Sequence, residues 1–279
     1  MKYFYVISNL SKDYVLDVRD EVQSCLEKRG AVCRYMTDYE RMKNGRHTPG
    51  EYVPEDTQCI ITIGGDGTLI QAARDLAGRN IPMLGINRGH LGFLNQVDRT
   101  EDIDAAMDAL VNERFRLEHR MMLRGTVFHE GKPVFQDIAL NEIIATSAEH
   151  LRVLRYDLAV NDEYLNEYAA DGVMVATPTG STAYNLSAGG PVMAPAGRMM
   201  AVTPVCSHTL NARSIVISEE DRVKIGLLGK GLVTFDGDTS QKTGPGDYLI
   251  VERSHMETVM VKLKQISFMQ NLSNYLGNV

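Results

Sequence analysis

Residues 61–70 read ITIGGDGTLI, an apolar run interrupted by three glycines, one carboxylate and a threonine. Gly64, Gly65 and Gly67 let the main chain approach a pyrophosphate and aim N–H groups at it. A helix beginning around Thr68 would add the positive end of its dipole to the same place. Asp66 is the exception in that anion-friendly setting, because phosphates repel a carboxylate unless it takes up a proton or holds a metal ion. The plainer reading is a strand-to-helix turn with Asp66 as helix N-cap. Neither a Walker A sequence nor a G-x-G-x-x-G pattern occurs in the chain, so phosphate binding here would do without a P-loop lysine.

A second concentration of polar chemistry lies at residues 171–191, DGVMVATPTGSTAYNLSAGGP. Pro178 and Gly180 make a turn, Ser181 or Thr182 caps a helix, and Gly189, Gly190 and Pro191 end it after about two turns. A cap needs one hydroxyl, yet Thr177, Thr179, Ser181 and Thr182 all crowd the entrance. The surplus, with Tyr184 and Ser187 following, suggests a surface that hydrogen-bonds ribose or phosphate and stacks a base. A well-capped helix with incidental hydroxyls is the alternative.

The elements that must position these residues follow from periodicity and turn chemistry. Residues 3–10 read as a buried strand. From Ser11 a helix follows, with Val15, Val18, Val22, Cys25 and Leu26 on one face and Gly30 as its stop. Residues 31–37 form a second strand, and the polar, turn-rich 38–56 reads as a long surface loop. Residues 59–63 are a third strand, followed by the GGDGT turn and a helix with Leu69, Ala72, Ala73 and Leu76 aligned. IPMLGIN supplies a fourth strand and RGHLGFLN another glycine-bearing loop; Thr100 then caps a helix with Glu101 and Asp102 in its first turn. This alternation predicts a parallel sheet with helices on its faces.

Beyond Phe115 the pattern changes to short strands with turn signals, EGK, VNDE, LLGKG and TGPGD, interrupted by one helix starting near Thr182. LRVLRYDLAV is apolar at about every second position, the mark of a half-buried strand. A sheet-on-sheet second domain is expected. From Ser267 a last helix aligns Phe268, Leu272, Tyr275 and Leu276 and is expected to pack back on the first domain. The predicted domains are 1–98, 99–264 and 265–279.

The chain of 279 residues has 44% hydrophobic and 23% charged residues, the balance of a globular protein with a sizeable core. A formal net charge of -7 gives nucleic acid or an anionic membrane no long-range attraction, so neither is an expected partner. Cys25, Cys33, Cys59 and Cys206 are scattered without zinc or disulfide spacing. The N-terminal MKYFYVISNL reads as a strand rather than a signal peptide, and no window approaches a membrane span, so a cytoplasmic protein is expected.

Together, GGDGT, GINRGHLGFL, ALNEIIA and ADGVMVATPTGSTAYNLSAGGP resemble the NAD kinases, which phosphorylate NAD to NADP. GGDGT alone is shared with diacylglycerol-type lipid kinases and, in a close variant, with phosphofructokinase; the long hydroxyl-rich motif is far more specific. The resemblance covers most of the chain, with residues 38–56 least informative. It implies an α/β N-terminal domain of the phosphofructokinase and diacylglycerol-kinase kind and a β-rich, sandwich-like C-terminal domain.

The resemblance also implies roles. Asp66 would be the general base for the adenosine ribose 2′-hydroxyl, with Gly67 beside it; kept ionised by the glycine N–H groups and a metal, it could instead hold that metal. Asn141 and Glu142 would bind the dinucleotide, and Asp171 would add a polar contact beside the backbone-lining Ala169. Thr182, Ala183, Tyr184, Asn185, Leu186 and Ser187 would cradle adenine and ribose, with Tyr184 stacking on a base. Arg152 would approach the phosphates, and Gln241 would make a late polar contact. Asp236 and Asp238 read as a solvated turn. ATP is the implied donor, with Mg²⁺ (or another divalent metal), NAD is the implied substrate, and the implied assembly is a homodimer or homotetramer. Ser207 and Ser214 stand where the family commonly has prolines, while His208 and Arg213 are retained. A lipid kinase would call for an apolar or basic membrane-facing patch, and a non-catalytic dinucleotide-binding regulator could dispense with Asp66.

Overall fold

A computed structural model describes residues 1–10, 13–88, 92–97, 102–149, 152–208, 211–263 and 267–277, with the side chains of Asp38, Met42, Asn274, Tyr275 and Leu276 outside that set. The chain forms two compact units, Met1–His119 with Glu257–Val279, and Arg120–Met256.

In the first unit the order is β1 (Tyr3–Ser8), α1 (Val15–Glu27), β2 (Val32–Tyr35), α2 (Asp38–Asn44), β3 (Cys59–Ile63), α3 (Asp66–Asp75), β4 (Met83–Ile86) and α4 (Ile103–Val111). The strands pair in parallel in the order β2-β1-β3-β4. The end of β16 (Tyr248–Lys262) adds to β4 in parallel through Met260 and Met83. β3 is buried along its whole length, the condition of a strand covered on both faces. Truncating its fully buried Ile61 to Ala would cost about 2–5 kcal/mol. On α1 the buried residues are Val15, Val18, Val22, Cys25 and Leu26, the face that the 3.6-residue period selects. They pack against Phe4, Val6, Ile61 and Ile63. The last helix, α6 (Phe268–Gly277), returns to this unit, its Phe268 ring 6.5 Å from that of Phe93.

Residues 38–56 are not the continuous loop expected from their polarity. Thr37 accepts the Glu40 N–H while the Glu40 side chain accepts the Thr37 N–H, a capping box that opens α2. A 3₁₀ turn at Gly50–Tyr52 follows. The predicted start of the first helix at Ser11, and the Thr100 cap with Glu101, lie outside the described residues, as do the side chains expected to align at Tyr275 and Leu276.

The second unit begins in β5 (Arg116–His129), a strand that starts in the first unit. It continues through β6 (Lys132–Ala139), β7 (Glu142–Ser147), β8 (Leu154–Val160), β9 (Glu163–Ala170), β10 (Gly172–Ala176), α5 (Tyr184–Ser187), β11 (Met199–Val205), β12 (Ile215–Ser218), β13 (Val223–Leu227), β14 (Gly231–Phe235) and β15 (Thr239–Thr243) into β16. One sheet runs β12-β11-β10-β7-β14-β15, antiparallel throughout. A second antiparallel set runs β16-β13-β8-β9, and β5 and β6 form a hairpin. Ile143, Val173, Val202 and Phe235 from the first sheet share one core with Tyr156, Leu158, Ile225 and Val251 from the second. This is the expected sheet-on-sheet packing. The strands are not all short: β5 has 14 residues and β16 has 15, long enough for each to serve both units.

Candidate functional site

Asp66 is the first residue of α3, and the N-cap is Gly65 with no side-chain cap. The N-cap reading of Asp66 is therefore corrected. Its carboxylate turns instead to the loop after β4. Oδ2 accepts the Phe93 N–H at 3.0 Å, and Oδ1 accepts from Asn95 Nδ2 at 2.5 Å. The backbone N–H groups of Leu94 and Asn95 donate to it as well. A side chain on Gly92 would collide with the carboxylate, so the loop can close over Asp66 only where the Cα is bare. The segment 92–95, GFLN, is thus the seat of the GGDGT aspartate. Sequence reading missed this because three of the donors, the N–H groups of Phe93, Leu94 and Asn95, are main-chain groups with no residue-type signature.

Burial pushes the Asp66 carboxyl above the ordinary carboxylate value, while the N–H groups of Leu94, Phe93 and Asn95 and the Asn95 amide pull it back down. The expectation that glycine N–H groups depress it is replaced. The donors come from residues 93–95, and desolvation sets the net direction.

Beside the head of α3 a cleft of about 530 Å³ is lined by Ser8, Asn9, Gly65, Gly67 and Thr68, and by Arg41 and Arg46. Nothing lies within 4 Å of where a Gly67 Cβ would be, so the main chain is open there. Arg41 is buried and donates to the carbonyls of Gly45 (3.3 Å) and His47 (3.2 Å) and to Thr48 Oγ1 (3.4 Å). An open helix N-terminus in a cleft that cations also line suits a polyanion.

In the second unit three separate motifs converge on the start of β7. Asp236 accepts the N–H groups of Leu140 at 2.7 Å, Asn141 at 2.8 Å and Glu142 at 3.0 Å. Its own N–H donates to the Glu142 carbonyl at 3.0 Å, and its φ is +50°. Thr177 binds the same turn from the other side, its N–H to the Asn141 carbonyl and its Oγ1 to the Leu140 carbonyl at 2.6 Å. Gly180 lies against the Asn141 main chain, where any Cβ would overlap the carbonyl. Asp236 is therefore no solvated turn; it organises the Asn141–Glu142 pair, a long-range role invisible in FDGDT alone. Burial, seconded by the Asp236 charge, pushes the Glu142 carboxyl up to about 8. Glu142 Oε2 is buried without a hydrogen-bond partner, so a ligand hydroxyl at this point would satisfy it.

The hydroxyl-rich entrance works differently from its surface reading. Thr177, Thr179 and Ser181 are buried. Ser181 Oγ donates to the Pro178 carbonyl at 2.7 Å and accepts the Met193 N–H at 2.9 Å. Thr179 Oγ1 accepts from the buried Arg120 at 3.1 Å, and Thr182 Oγ1 donates to the Thr179 carbonyl at 3.3 Å. These hydroxyls build the turn. The helix they precede is a 3₁₀ turn, Gly180–Thr182, and the single turn α5, whose N-cap Ala183 has no side chain to cap with. Asn185 is fully buried, donating to the Ser181 and Pro191 carbonyls and accepting from Thr203 Oγ1 at 2.8 Å. Tyr184, 47% exposed, and Ser187 face solvent, with Ala183 and Leu186 half-buried between them.

The remaining predicted residues are spread over this unit. Ala169 is half-buried, and its carbonyl accepts the His208 N–H at 2.9 Å. Asp171 is exposed at the junction of β9 and β10, its main chain bonded to Val205 and Ser147. Ser207, His208, Arg213 and Ser214 line a cleft of about 470 Å³ with Ala188 and Gly189 from the end of α5. Arg152 is exposed, 3.9 Å from Glu149, while Arg155 pairs with Glu167 at 2.9 Å. Gln241 lies on β15, its amide on the Lys242 carbonyl at 2.9 Å. The structure thus gathers Asn141, Glu142 and the TPTGS turn, and leaves Arg152 and Gln241 apart from that cluster's hydrogen bonds.

Residues 5–115 match the ATP-NAD kinase N-terminal domain, and residues 140–263 match the ATP-NAD kinase C-terminal domain. The chain belongs to the ATP-NAD kinase family. It is 37% identical over 285 residues to the NAD kinase of Agathobacter rectalis, covering 100% of this chain and 99% of that one. It is 36% identical over 292 residues to the NAD kinase of Lachnospira eligens, covering 98% and 99%. The fold matches yeast NADH kinase complexed with NADH (TM-score 0.87, 21% identity, 99% of this chain and 88% of that one). It also matches an NAD kinase from Archaeoglobus fulgidus in complex with ATP (TM-score 0.80, 22% identity, 99% of both chains). ATP-NAD kinases are phosphotransferases with an alcohol acceptor, and this chain is one of that class.

Phosphoryl transfer by an ATP-NAD kinase implies a divalent metal, whose oxygen shell usually combines phosphates and waters with one or two carboxylates. Among the described residues no group of three or more His, Cys, Asp and Glu side chains is gathered to hold an ion. Both Asp66 oxygens already accept N–H donors, so a metal here would draw its shell mainly from phosphates and waters, and no step below is routed through one.

Proposed function

We propose that this chain transfers the γ-phosphoryl group of ATP to the 2′-hydroxyl of the adenosine ribose of NAD, giving NADP and ADP. The observation that carries the reading is the Asp66 carboxylate, half-buried at the head of α3 and fixed by donors from residues 93–95. Asp66 accepts the ribose proton as the 2′-oxygen bonds to the γ-phosphorus and the bond to the β,γ-bridging oxygen breaks. A positioned base contributes about 10²–10⁴ in rate, and one whose proton affinity is raised by burial is better matched to a weakly acidic hydroxyl. The cleft beside Gly67, Thr68 and Arg46 suits the triphosphate.

NAD binding is assigned to Asn141, Glu142, Ala169, Asp171 and the segment Thr182, Ala183, Tyr184, Leu186 and Ser187. Glu142, with its unpartnered buried oxygen, receives a ribose hydroxyl, and exposed Tyr184 offers a ring face to a base. Asn185 supports this segment from inside. Arg152 and Gln241 are assigned outer contacts. Mg²⁺ is assigned to the triphosphate as its chelate, where it neutralises phosphate charge. A cytoplasmic location and small-molecule substrates are proposed; no helix among the described residues is long and apolar enough to cross a membrane. A homodimer or homotetramer is proposed as the assembly; light scattering that finds a monomer at working concentration removes it.

The test is direct. The purified protein is incubated with NAD, ATP and Mg²⁺, and NADP is measured, with Asp66→Asn run beside it. No NADP from the parent protein under any donor would end the proposal.

A further inference from the structure

We infer that Asn95 is a positioning residue for the transfer reaction, clamping the Asp66 carboxylate in one orientation and tuning how readily it takes a proton. The inference rests on the reading of Asp66 as the base.

Asn95 is 2% exposed, and its amide nitrogen lies 2.5 Å from Asp66 Oδ1. The rest of the side chain is wedged from behind. A methyl group on Gly85 of β4 would strike the Asn95 carbonyl oxygen and approach Leu69 Cδ1 to 2.9 Å. The amide therefore has no space to turn away, and its donor end is held on the carboxylate. The other end argues the same way. Asn95 Oδ1 is buried without a hydrogen-bond partner, a destabilising arrangement that an apolar residue of equal shape would avoid. The amide contributes through its donor rather than to the fold. The companion donors on Asp66 are main-chain N–H groups, so Asn95 is the side chain through which its proton affinity is set. Burial acts on that affinity first, then the N–H groups of Leu94, Phe93 and Asn95 and the Asn95 amide.

Removing the amide donor withdraws stabilisation from the ionised carboxylate only, so a larger fraction of Asp66 is protonated at acid pH. The experiment compares the parent protein with Asn95→Leu, Asn95→Ser and Asp66→Asn. NADP formation is followed as a function of pH, with NAD binding by calorimetry and thermal unfolding in parallel. Asn95→Leu should lower kcat about tenfold, leave NAD affinity within about twofold, and move the acid limb of kcat/KM upward by about one pH unit, the equivalent of about 1.4 kcal/mol. Its unfolding temperature should fall by no more than the few degrees that this figure implies for a chain of this size. Should that variant not fold, Asn95→Ser, whose shorter hydroxyl does not span the gap, carries the same shift. Parental kcat with an unmoved acid limb in the folded variant overturns the inference, as does a loss of kcat that tracks lost stability alone. Turnover of Asp66→Asn at the parental rate overturns the base reading itself, a separate outcome.

Discussion

Replacing Asp236 by Ala should disable the second unit's ligand end more severely than its turn-like sequence suggests. Its carboxylate accepts from Leu140, Asn141 and Glu142 at 2.7, 2.8 and 3.0 Å. The Leu140, Asn141 and Glu142 side chains are all buried, so the donors freed by truncation are poorly placed to find water. A hydrogen bond to a charged group contributes about 1.5–3 kcal/mol, and Asp236 is half-buried, so about 1 kcal/mol per bond is the apt figure after solvent screening. The three together give a loss of about 3 kcal/mol, a fall of roughly 6–12 °C in unfolding temperature for a chain of this size. Asp236→Asn keeps one acceptor oxygen and should lose about half as much. Calorimetric unfolding supplies the stability, and KM for NAD supplies the function, which should rise about tenfold or more as Asn141 and Glu142 lose their fixed register. An Asp236→Ala protein within about 0.5 kcal/mol of the parent, with unchanged KM for NAD, would refute the claim that this carboxylate organises the pair.

Asp66→Asn should still bind NAD in calorimetry while its turnover falls by about 10²–10⁴, since the amide is nearly isosteric but takes no proton. Gly92→Ala places a methyl group against the Asp66 carboxylate and should lower kcat at least tenfold with little change in NAD affinity, a split that steady-state kinetics reads directly. Folding raises the Glu142 carboxyl from its ordinary 4.5 to about 8, so the folded chain holds a proton that the unfolded chain releases. That contribution is complete below pH 4.5 and lost as pH climbs through 8. Glu142→Gln should accordingly be more stable than the parent by on the order of 2–4 kcal/mol at roughly pH 9 and show a flatter pH profile of unfolding temperature. Equal profiles for the two proteins would contradict the burial of that acid. The same variant should bind NAD more weakly.

The first unit was legible where chemistry is local. The periodicity of α1 named its buried face residue by residue, and Cys59–Ile63 declared itself a covered strand by its unbroken apolar run. α2 was missed although its capping box, Thr37 with Glu40, is written in the sequence; the surrounding polarity outweighed a two-residue signal. What could not be read were distances between motifs. Nothing in GGDGT says that its aspartate meets residues 93–95, and nothing in FDGDT says that Asp236 reaches Leu140. The TPTGS hydroxyls show the complementary difficulty. Sequence identifies a donor and an acceptor, but only the folded turn reveals that Ser181 faces inward to Pro178 and Met193.

Strand β16 carries one more implication. The first unit's sheet is completed at Met260, where the chain pairs with Met83 after an excursion through the whole of residues 120–256. During synthesis β4 must therefore wait with a bare flank until the residues around Met260 have left the ribosome. A nascent chain stalled before residue 257 would present that flank to its neighbours on the polysome, making this step the natural point for chaperone dependence.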